Sequence, residues 1–333
     1  LVGSEMCIRD RVSSIDVSKF DKNTVFVTFE GHTTGDMKPY IYKTSDGGKT
    51  WKNIASTEIK SFCHKVKQDI VNPDILFVGT EMGLFASLDG GTNWAEWTAG
   101  VSKTPVRDIQ IHPSTNDVVL ATHGRGIIII DDISPLRKMT KEITESEFAF
   151  LPNRQAFIGS EKYSGGFGGL TGEYTAGNAS EDAVITYYLK DRFNGDAKME
   201  ILDKDGNLIT TLPVTKRKGL NKVVWDMRLK APRVAKAVKL DMSGFFGPLV
   251  SEGEYTIRFV KGDKRFETKL NLLYDPKGLY SKEERAAQND AVMKIFAMQE
   301  ELAFANEQVM DARDTTKSIL KKNPTNKDLQ KHL

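Results

Sequence analysis

The sequence predicts a mainly β protein in three parts: the last blades of a β-propeller, then an immunoglobulin-like β-sandwich, then one long α-helix. Three observations predict it. "TSDGGKTW" at Thr44–Trp51 nearly repeats as "SLDGGTNW" at Ser87–Trp94, 43 residues further on. A period in the forties built from strand-rich units is the mark of a propeller, in which each blade is one four-stranded sheet. Short alternating segments then recur from Ala183 to Leu273, and beyond Ser281 apolar residues fall into a 4-3 rhythm.

The bulk numbers set the frame. At 333 residues the chain is long enough for two or three cores. A formal net charge of +2 sets up no field toward nucleic acid or an anionic membrane surface. No apolar run approaches the roughly 18 residues of a membrane span, and the longest, Gly126–Ile130, has strand length. Residues 1–11, "LVGSEMCIRDR", resemble a translated sequencing-library adapter; they also show no periodicity and match no later part of the repeat. Cys7 is then not native, Cys63 stands alone, and no disulfide framework exists. The true N-terminus would lie upstream, so the lack of a signal peptide here says nothing about secretion.

Residues 12–136 hold the propeller repeats. "NTVFVTFEG" (Asn23–Gly31), "PDILFVGTEMG" (Pro73–Gly83) and "NDVVLATHGRG" (Asn116–Gly126) each give a polar turn, a strand and a Gly-containing turn. The next strands are Tyr40–Ser45, Leu84–Asp89 and Ile127–Asp132. Those in front are Val12–Ser18, a run around Phe62–Lys67, and Val106–His112. The Asp-Gly-Gly stretch follows the third strand of a blade. Glycine there supplies positive φ without a Cβ clash, while Asp and hydroxyl side chains bond backbone N–H groups inside the turn. Ser45, Asp46, Gly48, Trp51 and Ser87, Asp89, Gly91, Trp94 are therefore structural, with the tryptophans placed to pack between blades. A third copy due near Asp131 is absent: "DDISPLRKM" loses both glycines and gains Pro135. Arrays end in atypical units, so the propeller is expected to close here. Three blades cannot close a ring, and further blades are expected upstream.

Residues 137–180 read as a linker, Gly-rich from Ile158. "GGFGG" lacks the strand before and helix after that a phosphate cradle requires. Residues 181–276 carry five to seven short strands in about 95 residues, with a hairpin turn at Asp205-Gly206 and Trp225 as the core residue, the pattern of an immunoglobulin-like sandwich. Residues 281–322 form one helix opened by "SKEE", a capping box. Its seam of Ala291, Ile295, Met298, Leu302, Ala305, Val309, Ala312, Thr316 and Ile319 wants a partner helix, expected in a truncated hairpin beyond Pro324.

The Asp-Gly-Gly-x-x-Trp turns resemble the Asp-box, or bacterial neuraminidase repeat, of β-propeller proteins. "LFVGTEMGLFASLDGGTNW" with "IHPSTNDVVLATHGRGIIIIDDISPLR" resembles, more particularly, the last blades of bacterial exoproteins of the sortilin-type or BNR-repeat glycosyl hydrolase group, related in fold to xyloglucanases. The resemblance spans about residues 12–333 and implies export, an Ig-like module, a terminal helical segment and a polysaccharide or peptide ligand. Asp-boxes occur in sialidases, xyloglucan hydrolases, sortilin receptors and photosystem assembly factors alike, so the motif speaks for fold rather than function. No catalytic residue matches position by position. The cysteine-rich module of animal sortilins is missing, which counts against a receptor.

Chemistry is expected at the turns between second and third strands, near the channel mouth. They offer Glu30, His32 and Asp36 in the first, Glu81 in the second, and His123 and Arg125 between glycines in the third. A glycosidase needs two carboxyls about 5.5 Å apart for retention or roughly 6.5–9.5 Å for inversion, and Glu30, Asp36 and Glu81 come from adjacent blades. The plainer reading makes the acids solvated loop groups and pairs Arg125 with a neighbouring carboxylate. His32, His64, His112, His123 and His332 show no metal-ligand spacing, and a Ser-His-Asp triad lacks a nucleophile elbow. The basic run Thr215–Lys222 has no interleaved aromatics, so no nucleic-acid partner, metal or cofactor is expected. The readings are a carbohydrate-active or glycan-binding propeller, a non-catalytic peptide-binding propeller, or a surface scaffold.

Overall fold

The structure is a computed structural model and describes residues 11–159, 181–234, 246–276 and 278–322. Cys7 and nearly all of the adapter-like opening, the Gly-rich residues 160–180, His332 and the expected partner helix lie outside the described residues. The chain is mainly β with one long C-terminal helix. It divides into two compact units, the first built up to Ser146 with Leu151–Arg154, the second from Glu147–Phe150 and everything from Gln155 onward.

The first unit holds three successive up-and-down meanders. β1 (Arg11–Val17), β2 (Val25–Gly31), β3 (Asp36–Thr44) and β4 (Lys52–Asn53) form one four-stranded sheet in that order. β5 (Cys63–Gln68), β6 (Leu76–Thr80), β7 (Gly83–Ser87) and β8 (Ala95–Trp97) form the second. β9 (Val106–Ile111), β10 (Val118–Thr122) and β11 (Ile127–Ile130) form a third of three strands. Each sheet packs on the next. Leu76 and Val78 meet Phe26, Ile41 and Trp94 of one core, whereas Ile75 and Phe77 meet Val106, Ile109 and Leu120 of the other. That is why β6 is buried at every position: both its faces are covered. The outer sheets are covered on one face only. Ile15 and Val17 of β1 and Ile127 and Ile129 of β11 are exposed, the last pair 71% and 56%.

Where a fourth strand would complete the third sheet, the chain instead makes α1 (Ser134–Arg137), with Pro135 at its first turn, and then α2 (Lys141–Glu145). Arg137 reaches back and clamps Asp69 with two bonds of 2.8 Å, both side chains buried, and its third nitrogen bonds Asn116. The atypical end of the repeat thus ties the third sheet to the second.

The second unit begins earlier than residue 181. β12 (Phe148–Leu151) and β13 (Ala156–Ile158) lie inside the span expected as a linker, yet both join its sheets. They are four and three residues long, too short to show alternation. With β14 (Ala183–Leu189), β15 (Ala197–Leu202), β16 (Leu208–Pro213), β17 (Gly219–Trp225), β18 (Gly253–Lys261) and β19 (Lys264–Tyr274) they build a three-stranded sheet, β12-β14-β17, and a five-stranded one, β13-β19-β18-β15-β16. One core serves both, with Trp225, Tyr187, Met199 and Phe259 fully buried. Phe148 stacks on Phe259 and Phe266 at 4.5 Å each. The β15–β16 hairpin turns at Gly206, whose φ is +85°.

α3 spans Lys282–Lys322. Its start is a reciprocal capping box: the Ser281 N–H donates to Glu284 Oε2 at 2.8 Å, and the Glu284 N–H donates to Ser281 Oγ at 3.2 Å. Arg285 and Ala303 are its buried residues, 18 residues or five full turns apart and so on one face. The 4-3 seam lies off that face, with Ile295, Met298, Leu302 and Val309 exposed.

Candidate functional site

The two Asp-Gly-Gly turns have the same bonding. In the first, Thr44 Oγ1 donates to Asp46 Oδ1 at 2.8 Å and accepts from the Gly48 N–H at 3.0 Å. Asp46 accepts in turn from the N–H and hydroxyl of Thr50 at 2.9 and 2.6 Å. In the second, Ser87, Asp89, Gly91 and Asn93 make the equivalent bonds at 2.8, 3.0, 2.8 and 2.7 Å. The hydroxyl equivalent to that of Ser87 therefore belongs to Thr44. Ser45, expected in this role, comes one position too late and is exposed. Gly91 lies so close to the first sheet that a Cβ there would stand 2.6 Å from Ile54 Cδ1. Trp94 is buried and donates to the Ile54 carbonyl at 2.7 Å, across sheets. Trp51 is half-buried and donates instead to Gly48 of its own turn at 3.1 Å. Bonds from Thr50, foremost among the causes, hold the Asp46 carboxyl down to about 2.

The opposite ends of β3 and β7 carry the ionisable turns, and there the sheets converge on a residue dismissed in the sequence, His64. The first strand of every sheet has one residue too many against its neighbour: the register skips Ser13, His64 and Arg107. A bulge bends the strand and re-aims the extra side chain. Three residues past the matched pairs Ile15–Val27, Val66–Val78 and Ile109–Leu120 stand Glu30, Glu81 and His123. The bulge residue of one sheet meets the strand-end acid of the sheet before it. His64 Nδ1 lies 3.4 Å from Glu30 Oε2, and Arg107 lies 3.5 Å from Glu81 Oε2. His64 Nε2 also bonds Glu81 at 2.8 Å, and Arg107 comes within 3.3 Å of His64 Nδ1. His64 and Glu30 are buried, Glu81 is one-third exposed, and Arg107 is half-exposed. Around this line His32 stacks on Phe62, rings 4.9 Å apart, with Nδ1 3.9 Å from Glu30.

Of the residues expected at the site, Glu30, His32 and Glu81 thus meet. Asp36 does not join them: it accepts from Tyr40 Oη at 2.6 Å and the Lys38 N–H at 3.0 Å, bonds that lower its carboxyl, the tyrosine most. His123 and Arg125 are exposed, and among the described residues their side chains make no hydrogen bond or ion pair. Their turn is nonetheless fixed. The His123 N–H donates to the Pro105 carbonyl at 2.9 Å, Thr104 Oγ1 donates to the His123 carbonyl at 2.9 Å, and Gly124 and Gly126 take φ of +90° and +66°. Arg125 has no carboxylate partner there, contrary to the plainer expectation. Both residues the sequence reading passed over, His64 and Arg107, are 43 positions apart, the spacing of the two Asp-Gly-Gly turns. Among the described residues no group of three or more His, Cys, Asp or Glu is placed to hold a metal ion, and no helix is long and apolar enough to cross a membrane.

Chemically, the arrangement uses both carboxylates. A protonated His64 donates to Glu30 and Glu81 together; a neutral one with its proton on Nε2 donates to Glu81 and accepts from Arg107 at Nδ1. In either state Glu81 faces Arg107 as well, whereas Glu30 receives a proton from His64 only when the imidazole is charged.

Neither a protein-family model nor a curated protein matches the sequence. Among solved structures, the chain is similar to YCF48 bound to D1 peptide, at 20% identity over 37% of each chain with a TM-score of 0.28. It is similar to the GH74 enzyme of Niastella koreensis, at 15% identity over 78% of this chain and 38% of that one, TM-score 0.32. A third is the extracellular domain of the one-component system BT4673 of B. thetaiotaomicron, at 12% identity over 79% and 31%, TM-score 0.28. The chain spans between about a third and two fifths of the length of these three structures. None of them assigns this chain a function.

Proposed function

We propose that the three sheets are consecutive blades of an Asp-box β-propeller in an exported bacterial protein, and that the turns at their β2–β3, β6–β7 and β10–β11 ends bind a glycan without hydrolysing it. The residues beyond 146 are, in this reading, an Ig-like sandwich and a helix appended to the propeller. The apolar faces left open by Ile15 and Val17 on one side and Ile127 and Ile129 on the other support further sheets packing there.

One observation carries the binding reading: His64 stands between the two candidate acids, 3.4 Å from Glu30 and 2.8 Å from Glu81, and Glu81 is also paired with Arg107. A hydrolase needs one carboxyl free to give a proton and the other free to attack or to activate water. Here the acids brace the ends of three sheets. The exposed His123 and Arg125, on a turn fixed by its own hydrogen bonds, then present donors to sugar hydroxyls from a rigid base. Titration calorimetry of the full chain against soluble oligosaccharides tests this. Saturable binding weakened by Arg125→Ala supports it, and no binding to any of a broad glycan panel overturns it. Met37 and Met82, both exposed at these turns, favour peptide as the second reading, because the thioether side chain adapts to varied apolar contacts. A peptide panel run beside the glycans separates the two.

A further inference from the structure

The second unit holds a cavity of about 360 Å³ between the end of β13, the segment after β17, the stretch 248–250 and the first three turns of α3. That volume lies within the range of small-ligand sites. Its polar lining is Arg228, Arg285, Tyr274, Tyr280, Gln288 and Asn289, and no acidic residue among the described residues lines it.

Arg285 is the unusual member. It is only 6% exposed, and a buried guanidinium ordinarily faces a carboxylate. Among the described residues Arg285 has none. Its Nε donates to the Tyr280 carbonyl at 3.2 Å, and its face lies over the Tyr274 ring, 4.6 Å from the centroid. The four N–H donors of its two terminal nitrogens have no acceptor there. The backbone at Gly278 packs directly beside Nη2, so close that a Cβ there would stand 1.8 Å from it. Glu252, the nearby acid, is held by Lys282 Nζ at 2.8 Å. Arg228, on the same cavity, bonds the Gly247 carbonyl through Nη1 at 2.8 Å and leaves Nε and Nη2 without an acceptor among the described residues.

A guanidinium stacked by its face on an aromatic ring offers its edge, and the edge matches the two oxygens of a carboxylate or sulfate. We propose that this cavity binds a small ligand through an oxyanionic group, a carboxylate or a sulfate, held by Arg285 and Arg228, with the body of the ligand against Val250 and Val292. The site is independent of the glycan-binding face proposed for the first unit.

D-glucuronate, D-glucose and inorganic sulfate titrated into the full chain test it. Glucuronate is expected to bind where glucose does not, and Arg285→Gln to weaken it by about tenfold or more, the weight of a lost charge-assisted bond. Displacement of glucuronate by sulfate would show that a bare oxyanion suffices; binding that resists sulfate would show that the carboxylate geometry is selected. Should Arg285→Gln fail to fold, Arg228→Gln, in the lining of the same cavity, carries the same expectation. The proposal is overturned if wild-type protein binds neither anion, or if the anions bind both variants as tightly as wild type.

Discussion

Thr44 and Ser87 each hold a turn with a single hydroxyl, which donates to an aspartate and accepts from a glycine N–H. Thr44→Val removes both bonds while keeping the shape, and should cost about 1 kcal/mol in urea unfolding, whereas Ser45→Ala should fall within about 0.5 kcal/mol of wild type. Asp46 adds a pH dependence of known sign. Its carboxyl is lowered to about 2 in the folded chain from an ordinary value of 3.8, so its contribution is complete above the ordinary value and fades as pH falls toward 2. The protection of the Thr50 amide against hydrogen exchange, relative to its intrinsic rate, should fall over that window, and Asp46→Asn should remove the dependence. Cys63 is buried, and burial raises its thiol to about 12. It should resist iodoacetamide at pH 8 in the folded protein and react in urea, as peptide mass spectrometry would show. The sequence made the acids of the turns legible because they follow strand ends. It hid His64 and Arg107, because a one-residue bulge is a property of strand pairing and leaves no mark in the spacing of side chains along one strand.

At the scale of elements, three meanders share one plan and differ at their ends. The strands of the first unit were readable because each follows a polar turn and β6, covered on both faces, opens on the apolar run Leu76–Val78. β12 and β13 were not, being short strands that gain their place from pairing with partners distant in the chain. The missing third Asp-Gly-Gly turn was also legible, but its replacement was not: Arg137 closing on Asp69 is a contact 68 residues apart. Both side chains are buried, and removing one partner leaves an uncompensated charge. Arg137→Ala should therefore destabilise the first unit by about 3–5 kcal/mol, measured as a fall in the unfolding midpoint, with Arg137→Met less damaging than Asp69→Ala. α3 shows the reverse case. Its capping box and its seam were plain in the sequence, and the structure leaves the seam exposed because the helix buries the face carrying Arg285 and Ala303.

At the scale of the whole molecule, the first unit brings the ends of three sheets to one histidine, and the second encloses a cavity whose buried cation has no acid. The proposed reading assigns each a ligand. The first rests on a line of four side chains, Glu30, His64, Glu81 and Arg107, each within 3.5 Å of the next along it. The measurement that tests this most directly is reducing-end release from a panel of β-glucans and sialosides by the full chain and its Glu30→Gln and Glu81→Gln variants. The account predicts no release above the rate of a boiled control from any of the three. Turnover by the wild-type chain that falls about a hundredfold or more in either variant would contradict it, and would make these carboxylates an acid–base pair.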